Sequence, residues 1–157
     1  MTLYLVQHGD ALSKAEDSER RLSEKGRRDA GRMAAFLSQS GVKADRVYHS
    51  GKARACETAM LLSEGIGNGV VEEIDHGLAP NDPTDNLKTL ADRWHDNVMV
   101  VGHLPFMGRM VSHLLTGSAD GDTVTFEPGA VAALEKDVGG GWTLLWMVRP
   151  SLLGGLN

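Results

Sequence analysis

The sequence predicts an α/β fold: a three-layer α/β/α sandwich with a mostly parallel central sheet and an antiparallel edge. Three observations carry that reading. Strand-length apolar runs alternate with stretches of helical spacing from Thr2 to Leu115, the order a parallel sheet with helical crossovers requires. Two of the runs, Leu3–Val6 and Val98–Val101, are continuously apolar, as strands covered on both faces are. Beyond Gly117 the pattern turns to alternation joined by glycine turns, as in antiparallel strands.

The first strand is expected over Thr2–Gln7. It ends on His8, and Gly9 is expected to take a positive φ that turns the chain sharply away. A polar loop runs through Asp17–Arg21. Ser23 is placed to cap a helix that carries Met33, Phe36 and Leu37 at helical spacing and stops near Gly41. Arg46–Ser50 is a short second strand broken by Gly51. A second helix follows from about Lys52 to Glu64, with Ala55, Ala59 and Leu62 on one side, and glycines at 65, 67 and 69 end it. Val70–Ile74 is expected as a third strand and His76–Pro83 as a loop with strong turn chemistry. Thr84 is expected to cap a third helix that runs to about Trp94. Asn97–His103 repeats the opening pattern, an apolar strand ending on a histidine, and Pro105 starts a fourth helix through Met110, Val111 and Leu115. Thr123–Phe126, Ala130–Leu134 and Thr143–Val148 are expected as strands, the last two joined as a hairpin through Gly139-Gly140-Gly141. The tail after Arg149 has no pattern.

The length of 157 residues suits one domain over 1–157, and 41% hydrophobic with 24% charged residues is an ordinary globular balance. No apolar run reaches the ~20 residues that span a bilayer, and Met1 leads straight into a strand with no leader pattern. The expectation is a cytoplasmic monomer without a membrane partner. The single cysteine, Cys56, has no internal partner. A net charge of −5 argues against nucleic acid as a partner and implies that any anionic ligand is held by a local cationic pocket. Six histidines invite a metal site, but neither His-x-His nor His-Glu-x-x-His occurs, so no metal and no cofactor are expected.

Three expected parallel strands end in polar groups: the first at His8, the second at Ser50 with Arg54 one turn onward, the fourth at His103. Ligands bind outside the carboxyl ends of such strands. If the strands are neighbours, two imidazoles, a guanidinium and a helix N-terminus surround one anion, and phosphate fits the guanidinium fork. The motifs Gln7-His8-Gly9-Asp10, Ser50-Gly51-Lys52-Ala53-Arg54-Ala55-Cys56-Glu57-Thr58 and Gly102-His103-Leu104-Pro105 resemble, in order, those of the histidine phosphatase superfamily. The loop from Asp17 to Gly26, with Arg20 and then Leu22-Ser23-x-x-Gly26, resembles the small bacterial phosphohistidine phosphatase branch. The resemblance spans roughly Thr2–Val148.

The resemblance implies a metal-independent hydrolase that acts on a phosphorylated protein. His8 would be the nucleophile that accepts the phosphoryl group; Arg54 and His103 would clamp its oxygens. Arg20 would reach the same pocket, and Gln7, Gly9 and Ser50 would complete the substrate-binding set. The attacking nitrogen of His8 must be unprotonated, so the other ring nitrogen needs an acceptor such as a backbone carbonyl. Two departures stand out. Gln7 replaces the family arginine, and Gly51 replaces its proline, which is expected to loosen the turn before Arg54. Arg20, Arg21, Lys14 and Lys52 are the cations available to compensate at position 7.

The leaving group separates the readings. An ester needs a general acid, whereas an imidazole has a pKa near neutrality and departs with less help. In Asp75–Asp85, the aspartates at 75, 82 and 85 read as turn and cap residues. Phosphohistidine in a signalling or phosphotransfer protein is therefore the preferred substrate. Small phosphate esters are the alternative within the class, and a phosphate-binding regulatory module weakened by Gln7 is the alternative outside it. His49 and the methionines at 99, 107 and 110 read as structural, His76 as a surface loop residue, and His95 and His113 as helix-end residues. The charges from Lys25 to Arg32 read as a solvated face; Arg109 is left without a role.

Overall fold

The computed structural model describes residues 1–154. Its strands are β1 (Thr2–Gln7), β2 (Arg46–His49), β3 (Glu72–Glu73), β4 (Val98–Gly102), β5 (Val131–Lys136) and β6 (Trp142–Val148). Its helices are α1 (Glu24–Gln39), α2 (Ala53–Ile66), α3 (Asp85–Arg93) and α4 (Phe106–Thr116). The strands form one sheet in the order β3-β2-β4-β1-β5-β6. β4 is parallel to both β1 and β2, and β5 and β6 are antiparallel, so the predicted mixed sheet with an antiparallel edge is present.

Side chains alternate across the sheet and divide the core in two. Tyr4, Val6, Met99 and Val101 pack with Met33, Leu37, Ala55 and Leu62 of α1 and α2. Leu3, Leu5, Val98 and Val100 pack with Leu87, Phe106, Met110 and Val111 of α3 and α4. These central residues are fully buried or nearly so, each aliphatic side chain contributing on the order of 1.5–3 kcal/mol.

Ser23 caps α1 by accepting the Gly26 N–H at 3.0 Å. Thr84 does not cap α3: its hydroxyl is buried and bonds His113 Nδ1 at 2.7 Å, tying α3 to α4. The predicted third strand contracts to Glu72–Glu73, which pairs only with β2 at the sheet edge. Thr123–Phe126 is loop and not strand. Its alternation arises because Phe126 and Val124 pack on the α4 side of the core from that loop. The 139–141 glycines make the predicted β5–β6 turn, in which Gly141 N–H donates to Asp137 Oδ1 at 2.9 Å. On the face of α1 expected to be solvated, Asp29 is buried and accepts from Lys25 Nζ at 2.7 Å. Of the patternless tail, Pro150–Leu152 forms a short 3-10 turn, and residues 155–157 lie outside the described ones. No helix among the described residues is long and apolar enough to cross a membrane.

Candidate active site

Strand order decides the site. β1 and β2 flank β4, and all three run the same way, so their carboxyl ends lie side by side. The His8 N–H donates to the Gly102 carbonyl at 2.9 Å, fastening the end of β1 to the end of β4. The His8 and His103 rings stand 5.1 Å apart between centroids, tilted by 57°. Ser50, just beyond β2, lies against them: its Oγ is 2.6 Å from His103 Nε2.

His8 Nδ1 is 2.8 Å from the Gly9 carbonyl oxygen. A carbonyl only accepts, so Nδ1 carries the proton and Nε2 carries the lone pair. Burial, opposed by the Gly9 bond and supported by the charges of Arg54 and Arg20, lowers the His8 pKa below the ordinary histidine value. The ring is neutral at neutral pH, and one nitrogen is free to attack. His103 is more enclosed, at 2% exposure. Burial first, then positive charge on His8, Arg54, Lys52 and Arg20, pushes its pKa down to about 3.

Arg54 sits in the first turn of α2, where helix amides add to its attraction for anions. Its Nε is buried and has no hydrogen-bond partner among the described residues. Burial and the neighbouring Arg20 lower its pKa from the usual guanidinium value. Arg20 is the one non-glycine described residue with a positive φ, 52°, and its Nε donates to the Leu12 carbonyl at 3.1 Å. The 17–21 turn thereby sets its charge against His8, Arg54 and His103. Gln7 ends β1 beside Gly102, with its backbone N–H on the Ala130 carbonyl at 3.2 Å. Its Oε1 is buried and has no hydrogen-bond partner among the described residues, and as an amide it brings no charge to the cluster, where Arg54, Lys52 and Arg20 supply the positive charge.

Two glycines differ from expectation. Gly9 is not in the left-handed region; a Cβ there would lie 3.2 Å from both the Gly26 carbonyl and Leu22, so close approach explains the residue. Gly51 does not loosen its turn. It holds φ +93°, donates its N–H to His49 Nδ1 at 3.0 Å and lies against the Glu73 carboxylate. His49 is accordingly buried and structural, as expected.

Thr58 was given no role by sequence reasoning. Its hydroxyl donates to the Arg54 carbonyl at 2.8 Å and accepts the Gly9 N–H at 2.9 Å. It thus couples the helix carrying Arg54 to the loop carrying His8; the four-residue spacing from Arg54 is the sequence signal that places it. Of the expected turn residues, Asp82 accepts the Ala79 N–H at 2.9 Å, and Asp75 pairs with His76 at 2.6 Å in an exposed position. Among the described residues no cluster of three or more His, Cys, Asp or Glu side chains is arranged to hold a metal ion.

The family model described as the histidine phosphatase superfamily (branch 1) matches residues 3–79. The chain is 28% identical to phosphohistidine phosphatase SixA of Escherichia coli (strain K12), over 96% of this chain and 94% of that one. The solved structure of the protein histidine phosphatase SixA complexed with tungstate superposes with a TM-score of 0.83 at 28% identity, over 98% and 99% of the two chains. A phosphoserine phosphatase from Entamoeba histolytica, in complex with 3-phosphoglyceric acid, superposes with a TM-score of 0.69 at 15% identity, over 93% and 95%, a likeness of fold alone.

Proposed function

The chain belongs to the histidine phosphatase superfamily, and from that premise we propose that it removes phosphate from phosphohistidine carried by a protein. One observation carries the mechanism: a neutral His8 ring, its Nδ1–H fixed on the Gly9 carbonyl, stands 5.1 Å from His103 and beside Arg54. His8 Nε2 attacks phosphorus, and the bond from phosphorus to the substrate imidazole breaks. The substrate ring takes a proton from solvent on its distal nitrogen before that bond breaks, so it leaves as neutral imidazole and not as imidazolate, a departure that the near-neutral pKa of the ring makes easy. Water then attacks the phosphorus of phospho-His8, releasing inorganic phosphate and restoring the free ring.

Arg54, Arg20 and His103 hold the equatorial oxygens as charge redistributes during both transfers. Ser50 orients His103. The reading fits a chain in which two of the three candidate acids are otherwise engaged, Asp82 in a backbone turn and Asp75 with His76. Small phosphate esters, which need such an acid, suit the site less well.

The test is transient labelling. Brief incubation with a histidine-phosphorylated protein bearing labelled phosphate is expected to leave an acid-labile label on the native chain and none on His8→Ala. Arg54→Ala is expected to lower kcat/KM by about 10²–10³. Label on His8→Ala at the native level, or no phosphate release by the native chain, would overturn the proposal.

A further inference from the structure

A cavity of about 660 Å³ adjoins the cluster, lined by Lys14, Glu19, Arg20, Lys52, Arg54 and Cys56 among others. Four of these residues are cations, in a chain whose acidic groups outnumber its basic ones by five. None of the four makes an ion pair among the described residues, although basic residues nearby do: Arg21 with Asp17, Lys25 with Asp29 and Arg27 with Glu57. The one carboxylate in the lining, Glu19, faces Arg21 at 3.8 Å. Arg20 and Arg54 are assigned to the phosphoryl group above. Lys14 and Lys52 are exposed, and neither is assigned to the phosphoryl group above.

We propose that this cavity receives an acidic segment flanking the phosphohistidine, and that Lys14 and Lys52 select substrates by that acidity. The inference rests on the phosphohistidine reading and adds the substrate's local sequence chemistry. The volume lies in the range of ordinary ligand sites and leaves room beside the phosphoryl group. The two lysines stand at the rim on flexible stems. Rim charges govern encounter and discrimination against wrong partners more than they govern tight holding. That suits a protein strand bearing Asp or Glu better than a second phosphate on a small molecule, which would call for enclosed guanidinium groups. It also reconciles an acidic protein with an acidic substrate, since unpaired lysines concentrate attraction at one mouth.

The experiment compares two histidine peptides phosphorylated with phosphoramidate, one with Glu and Asp on both sides of the histidine, the other with Gln and Asn there. The native chain is expected to favour the acidic peptide in kcat/KM by about tenfold or more at low salt, with the preference shrinking as salt is raised. The double variant Lys14→Glu, Lys52→Glu is expected to bring the ratio to one or below. Because a ratio is read, any effect of Lys52 on His103 cancels. Equal turnover of the two peptides by the native chain, or a ratio untouched by the double variant, overturns this inference and leaves the phosphohistidine reading standing. No turnover of either peptide overturns both.

Discussion

At Gly51 a single residue carries three demands that proline cannot meet. The φ of +93° is closed to a ring locked near −65°, the N–H that His49 accepts would be absent, and the Glu73 carboxylate lies where a side chain would begin. Although the resembled family has proline here, Gly51→Pro is expected to destabilise the chain by more than about 1 kcal/mol. By displacing Lys52 and Arg54 it should also cut phosphate release by about 10²-fold. Gly51→Ala meets only the far end of Glu73 and the cost of the φ, so it should be milder on both counts. Urea unfolding and phosphate-release kinetics on the two variants check this; a proline variant that equals the native chain would show that the turn can adopt another shape. His8, Arg54, His103 and Ser50 were legible at this scale because each follows a strand end or helix start that the apolar pattern marks. The bond from Thr58 to Gly9 was not, because the two lie 49 residues apart and only the fold brings them together. The positive φ at Gly51, and its absence at Gly9, were equally hidden: a glycine announces freedom without saying how it is used.

At the scale of elements, the start of α1 packs against the segment that follows His8. Ser23 Oγ donates to Asp10 Oδ2 at 2.6 Å, and the first turn of α1 lies so close to the exit of β1 that a Cβ at Gly26 would stand 2.1 Å from the Asp10 carbonyl oxygen. Backbone cannot yield there as a long side chain could. Gly26→Ala is therefore expected to destabilise by about 1–3 kcal/mol, although alanine is the better helix former. It should also lower activity by moving the His8 loop. Gly31→Ala, in the same helix with open space around it, is expected to stabilise by up to about 1 kcal/mol and leave activity unchanged. Denaturant midpoints for the pair provide the measurement, and equal effects would refute the close-packing account. The motif Leu22-Ser23-x-x-Gly26 was legible as a helix start, but only the packing explains why its last position is glycine. Central strands and helices were legible for a related reason: burial on both faces leaves an unbroken apolar run. The misread pieces lie where burial is one-sided. Glu72–Glu73 is an exposed edge, and Val124 with Phe126 drops into the core from a loop that pairs with no strand.

On the scale of the whole molecule, the proposed oxyanion site belongs to no single segment. It joins the end of β1, the 17–21 turn, the start of α2 and the end of β4, so residues from 8 to 103 meet in one cluster. The segments bring mostly positive or polar groups into a chain of net charge −5, an arrangement that leaves Arg20 and Arg54 near each other with no ion-pair partner among the described residues. An oxyanion placed among them is expected to relieve that repulsion and to bind only when all four segments are folded together. By linkage, ligand at a hundred times its dissociation constant stabilises the folded state by about 2.7 kcal/mol. For a chain of this length that corresponds to a rise in Tm of about 5–10 °C. Saturating tungstate should produce such a shift in a thermal melt, while chloride at the same ionic strength should not. Arg54→Ala should lose most of the shift, and Gly31→Ala, remote from the cluster, should keep it. A tungstate shift that survives in Arg54→Ala would mean that the anion is held elsewhere, and the four-segment site would then lose its central cation.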